Sequence, residues 1–159
     1  LNDIFATLVQ ATPAMGSLGA LLMLLIFMFS IIGTSVFSLV NLDGAAEMNQ
    51  HVNFQSFGCA FLTLLRCSTG EAWNSIMFDS SQPYSIMYQC NEDEDYYSII
   101  ARGDDPTDVY GPKGCGTGFA VYFHILFQVI VSQIFLNLFL AIIIDAFFGQ
   151  TDLAKIPVK

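Results

Sequence analysis

Two stretches without a formally charged side chain constrain this chain more than any other feature: one lies between Asp3 and Asp43, the other between Lys113 and Asp145. Each exceeds the ~20 predominantly apolar residues that carry a helix across a bilayer core, so two membrane-spanning helices are expected. With 54% hydrophobic residues, 12% charged residues and a mean hydropathy of +0.57, the chain lies outside the profile of soluble domains. A net charge of −9 and scattered Lys and Arg residues exclude nucleic-acid binding, which needs basic clusters, and make cations the natural partners. No series of Arg or Lys recurs at every third position, so a voltage-sensing helix is expected outside this segment. Leu1 is neither an initiator Met nor the start of a signal-peptide pattern, so the N-terminus is expected to be internal to a longer protein.

The remaining pattern divides the chain into seven parts of an all-α membrane fold. In 1–13, Leu1, Ile4, Phe5 and Leu8 recur at helical spacing, with Asn2, Asp3, Thr7 and Gln10 off that face. That segment reads as an amphipathic linker helix or as the solvated start of the first span, ended or bent at Pro13. The outer span is 14–40, with Gly16, Gly19 and Gly33 as points of close helix approach. After a polar loop at 41–55, the segment 56–80 is too short to cross and reads as re-entrant. Asn53 or Ser56 caps a helix to about Cys67, and Ala72 to Asp79 form a second short helix. Non-helical backbone at membrane depth survives only where protein buries it or water lines it, so the Ser68–Glu71 turn implies a pore or cavity. An acidic loop follows at 81–118, then an inner span at 119–146, interrupted by His124, Gln128, Gln133 and Asn137, and a tail at 147–159. The sequence carries no internal repeat, and two spans cannot by themselves surround a pore.

Glu71 is the residue that most needs a reason, because an acid within the membrane is paired, faces water or serves an ion. Arg66, five residues earlier, is one available partner. The other reading is one side of a carboxylate ring completed by three further repeats or chains. Such a ring suits Ca2+, which takes roughly six to eight oxygen ligands in irregular geometry. Trp73 could anchor at the membrane interface, and Asp79 is either a contributor to an outer mouth or a solvated helix-end acid. The loop acids Glu92, Asp93, Glu94, Asp95, Asp104, Asp105 and Asp108 are either simply solvated or raise the local cation concentration. His51 and His124 share no metal spacing with Cys or acids and are read as structural.

Thr69-Gly70-Glu71-Ala72-Trp73, preceded by Phe61 to Cys67, resembles the selectivity filter of the voltage-gated calcium channel alpha-1 subunit family. It is most similar to the fourth repeat, while Trp73 to Asp79 is also similar to second-repeat sequences. Phe135-Leu-Asn-Leu-Phe-Leu-Ala-Ile-Ile-Ile-Asp145 resembles the family's inner helix. The resemblance implies that Glu71 binds permeant Ca2+ and that the Thr69 and Gly70 carbonyls supply the next sites inward. It puts Arg66 behind the filter and gives the Trp73 ring N–H a bracing role against the neighbouring repeat. It implies a gate at Asn137, Ile142, Ile143, Ile144 and Phe147, where apolar side chains exclude water. A single polar residue such as Asn137 is otherwise an interhelical hydrogen bond. The sequence departs from the family at Phe147-Phe148-Gly149-Gln150 and through the acidic loop.

Four cysteines allow three full pairings. Cys59 and Cys67 would be about 12 Å apart along a helix, beyond disulfide reach. Cys90 and Cys115 bracket the acidic loop and would stabilise it by roughly 3 kcal/mol in the loop-entropy model, and fourth-repeat loops carry a similar pair. A bonded loop lies outside the cell, which puts a multi-pass chain in the plasma membrane with both ends cytoplasmic.

The expected function is the pore-forming segment of a calcium-selective voltage-gated channel. Its partners would be three further pore repeats or subunits, a voltage-sensor domain, membrane lipid and auxiliary subunits, with no organic cofactor. A sodium or non-selective cation pore is the rival within the superfamily. A two-span structural protein with a disulfide-bonded loop is the rival of another class, and it leaves Glu71 and the glycine turn without a role. A proton-coupled transporter would show a second broken helix or a repeat, and no nucleophile–base arrangement suggests an enzyme.

Overall fold

Long apolar runs become long helices, and the first, α1, extends from Asn2 to Phe37. The computed structural model describes the backbone of residues 2–85 and 89–153, and the side chains of residues 16, 19–85, 89–134, 137, 140, 141 and 144. Within α1, the 19 residues Gly19–Phe37 have a mean hydropathy of 2.5 and are long enough to cross a bilayer core. The helix does not end at Pro13, the boundary expected between linker and outer span. Proline removes one backbone donor and crowds the preceding turn, and a long apolar helix carries that local loss. The amphipathic face expected for 1–13 lies outside the described side chains.

Three short helices and one long one follow: α2 (Phe57–Ser68), α3 (Trp73–Ser81), α4 (Tyr96–Arg102) and α5 (Phe119–Leu153). Ser56, not Asn53, caps α2, its hydroxyl accepting the Cys59 N–H at 3.3 Å. Asn53 instead folds an Asx turn, its Oδ1 accepting from the Gln55 N–H at 3.1 Å. Helix α4 lies inside what the sequence reads as loop. It is enclosed by a capping box between Asp95 and Ser98 and by Gly103, whose φ of +88° only glycine adopts cheaply. Helix α5 continues past Asp145 to Leu153, so part of the expected tail is helical.

The chain forms two compact units, one made of residues up to Leu25 and from Ile130 onward, the other of Ile26–Val129. In the second unit, Ile26, Phe37, Phe54, Leu64, Ile76, Ile99, Phe123 and Phe127 are buried. Their rings meet edge-on or tilted, as at Phe37–Phe54 (5.4 Å), Phe37–Phe123 (5.2 Å) and Phe29–Phe127 (5.1 Å), geometry that aromatic quadrupoles favour. Gly33 makes the packing possible, since a Cβ there would stand 2.8 Å from the Phe54 ring, whereas Gly16 and Gly19 have no such neighbour within 4 Å. His124 is buried against Phe37, Phe54 and Phe123, consistent with its structural reading.

Residues 81–118 are pinned at both ends. The Gly114 N–H donates to Leu39 O and the Asn41 N–H to Gly114 O, both at 2.8 Å. The Gly116 and Thr117 N–H groups donate to Gln82 O (2.8 Å) and Ser80 O (3.1 Å), and Cys90 is bonded to Cys115. The loop thereby closes against the ends of α1 and α3.

Candidate functional site

The site is the turn between α2 and α3. Helix α2 buries Ala60, Thr63, Leu64 and Cys67 and brings Arg66 into its last turn. Its end is tightened by the Thr69 N–H and hydroxyl donating to Arg66 O (3.2 and 2.7 Å) and by the Gly70 N–H donating to Cys67 O (2.9 Å). Gly70 at φ +86° and Ala72 at φ +52° then reverse the chain. Glycine takes that conformation freely, whereas a non-glycine residue there costs about 1–2 kcal/mol. Backbone strain of this kind collects at functional turns.

Glu71 sits between these two left-handed residues, with 64% of its side chain exposed. Its Oε1 accepts from Arg66 Nη2 at 2.9 Å and Nε at 3.1 Å. The pairing that the sequence offers as one alternative is therefore present in the single chain. Arg66 Nη2 also lies 3.4 Å from Glu47 Oε2. Ion pairs this open to solvent contribute little, so neither carboxylate is locked. Thr69 and Gly70 are exposed, and among the described residues no hydrogen bond uses their carbonyls. The carbonyl end of α2, with its partial negative charge, adjoins the same turn. Trp73 opens α3 half-buried, and its ring N–H has no partner among the described residues.

Asp79 is not the solvated helix-end acid that the sequence offers as one alternative. It is buried, and its carboxylate accepts the backbone N–H groups of Ala46 (2.9 Å), Glu47 (2.7 Å) and Met48 (2.9 Å). An ionised carboxylate satisfies several converging donors at once, so this acid fastens α3 to the loop carrying Glu47. Glu47 itself carries no spacing signal, because 19 residues separate it from Arg66.

Several loop acids are also engaged. Glu94 receives Arg102 Nη2 at 2.8 Å, Asn91 Nδ2 at 2.8 Å and the Lys113 N–H at 3.1 Å. Burial pushes the Glu94 carboxyl up, but those hydrogen bonds and the Arg102 charge outweigh it and hold the group at about 2. Arg102 also pairs with Asp104, and Lys113 with Asp43. Glu92, Asp93 and Asp95 remain exposed. The Asp95-x-x-Ser98 spacing followed by Gly103 was the available signal for α4. Of the expected gate, Asn137 and Ile144 are exposed with Leu140 and Ala141, at the i, i+3, i+4, i+7 spacing of one face of α5. The side chains of Ile142, Ile143 and Phe147 lie outside the described ones.

The site is thus a strained turn between two short helices that presents a carboxylate and two unused carbonyls, in a chain that also carries long apolar helices. Comparison supplies the family: residues 1–155 match the ion transport protein family, and the chain belongs to it. It is 34% identical over 141 residues to the voltage-dependent L-type calcium channel subunit alpha-1S of Oryctolagus cuniculus, covering 89% of this chain and 7% of that protein. It is 33% identical over 147 residues to subunit alpha-1C of Cavia porcellus, covering 92% and 6%. The chain thus spans about 7% or less of the length of these curated relatives. Membership gives the chain the family's helical membrane fold and assigns it to ion transport rather than to an enzyme family.

Proposed function

We propose that this chain is the pore module of one repeat, most like a fourth repeat, of a calcium-selective, voltage-gated-type cation channel. The observation that carries the reading is Glu71, exposed on a turn between two left-handed residues and flanked by short helices. In this reading α1 and α5 are the outer and inner spans, and α2 and α3 are the re-entrant pore helices. Glu71 joins equivalent acids from three further repeats or subunits in a ring of hard oxygen ligands suited to Ca2+. The Thr69 and Gly70 carbonyls form the next sites inward, and sites in line let one ion displace the next. Arg66 and Trp73 support the filter, Trp73 through a neighbouring repeat. Asn137, Ile142, Ile143, Ile144 and Phe147 line the inner gate. The loop closed by Cys90–Cys115 faces outward at the plasma membrane, and both chain ends face the cytoplasm. The voltage sensor lies outside this segment, and auxiliary subunits and lipid complete the assembly. The names of the relatives favour calcium over sodium as the permeant ion.

The Arg66–Glu71 pair supports one competing reading, in which Glu71 is a structural acid. The two separate on substitution with cysteine. In the complete channel carrying Glu71→Cys, an external charged thiol reagent is expected to alter the current, and external Ca2+ to slow the modification. The unsubstituted channel, with its own Cys59 and Cys67, is the control. Modification without any change in current would support the structural acid.

A further inference from the structure

The pore reading of Glu71 leaves Glu47 without a role, yet Glu47 is held in place more firmly than a loop acid needs to be. Its backbone N–H and those on either side are fixed by the buried Asp79 carboxylate. Its own carboxylate reaches the guanidinium that also holds Glu71. One cation is therefore shared between two acids, at 2.9 Å from Glu71 Oε1 and 3.4 Å from Glu47 Oε2.

We propose that Glu47 is a positioning residue for the Glu71 ion site, receiving Arg66 when a permeant cation takes the Glu71 carboxylate. The proposal rests on Glu71 being a pore carboxylate. Both separations lie within ion-pair range and involve the same Nη2, so a small rotation of the guanidinium moves it from one acid to the other. A divalent cation arriving at Glu71 repels Arg66, which holds Oε1 of the carboxylate, and competes with it for that oxygen. Without a second acceptor, the guanidinium would lose its pairing as the ion gains it, and the ion's net affinity would fall. Glu47 removes that penalty, and Asp79 keeps Glu47 where it can do so. Partial exposure of all three side chains, 36% at Glu47, 31% at Arg66 and 64% at Glu71, limits the effect to a few-fold.

The test is a double-substitution cycle in the complete channel, read as the Ca2+ concentration that half-blocks monovalent current. Glu47→Gln is expected to raise that concentration roughly two- to fivefold. In an Arg66→Gln background the same substitution is expected to leave it unchanged, because no guanidinium remains to be relocated. An acid that acted only through its field would produce the same shift in both backgrounds, and that result overturns the proposal. So does the absence of a shift from Glu47→Gln alone. Where Arg66→Gln gives no channel at the cell surface, Arg66→Lys replaces it. A compact ammonium lacks the fork that serves both acids, so the Glu47→Gln shift is expected to shrink, and an undiminished shift again overturns the proposal. Glu71→Gln separates the two levels: if it weakens the block while Glu47→Gln does not, the positioning role alone fails. If Glu71→Gln leaves the block unchanged, the pore reading fails and this inference with it.

Discussion

Asp79 accepts three backbone N–H groups from a segment more than 30 residues earlier in the chain, and removing its carboxylate leaves those donors without an acceptor. Asp79→Ala should therefore destabilise the channel by about 1–3 kcal/mol for the unsatisfied buried donors, visible as a lower melting midpoint of the purified protein. Glu94 gives the second residue-scale expectation. Its carboxyl titrates at about 2 in the folded loop, below the ~4.3 of an unperturbed Glu. The stabilisation it supplies is complete above the unfolded value and is lost as pH falls from about 4.5 towards 2. Reduction of Cys90–Cys115 by a phosphine should accelerate across that window. Glu94→Gln should react fast already at neutral pH and lack the acid-dependent step. Sequence anticipated the turn at Gly70 and the Arg66–Glu71 contact because the residues that make each lie within a few positions of one another. It did not place the contacts of Asp79 with Ala46, of Glu94 with Arg102 or of Glu47 with Arg66, which lie 33, 8 and 19 residues apart and form only on folding.

At the scale of elements, the sequence was legible where one physical signal dominates. Long uncharged, largely apolar runs announced α1 and α5, and a capping residue, Asn53 or Ser56, before an apolar stretch announced α2. Pro13 does not end α1: a long helix tolerates the loss of one hydrogen bond that would end a short, isolated one. Helix α4 was hidden by the acidity around it, although its two ends are written in Asp95, Ser98 and Gly103. Asp95→Ala removes an N-cap worth about 1 kcal/mol, and hydrogen exchange in 96–102 should quicken while exchange in α2 stays the same. The loop's cross-link is the stronger element. Replacing Cys90 and Cys115 by Ser should destabilise the loop by roughly 3 kcal/mol, read as earlier proteolysis between those positions.

At the scale of the whole molecule, the chain leaves much apolar surface for something else to cover. Only 28% of Gly19–Phe37 is buried within the chain, and Leu24, Met28 and Ile31 are about half exposed. Tyr122, Leu126 and Val129 on α5 are likewise exposed. Lipid and further repeats are the cover that the proposed channel supplies, and a ring of acids exists only once that assembly forms. The most direct measurement is the reversal potential of the complete channel with Ca2+ outside and Na+ inside, before and after Glu71→Gln. The account predicts a strongly positive reversal potential that moves in the negative direction on substitution, as calcium preference is lost. A current whose reversal potential does not move would contradict it, leaving Glu71 as no more than the partner of Arg66.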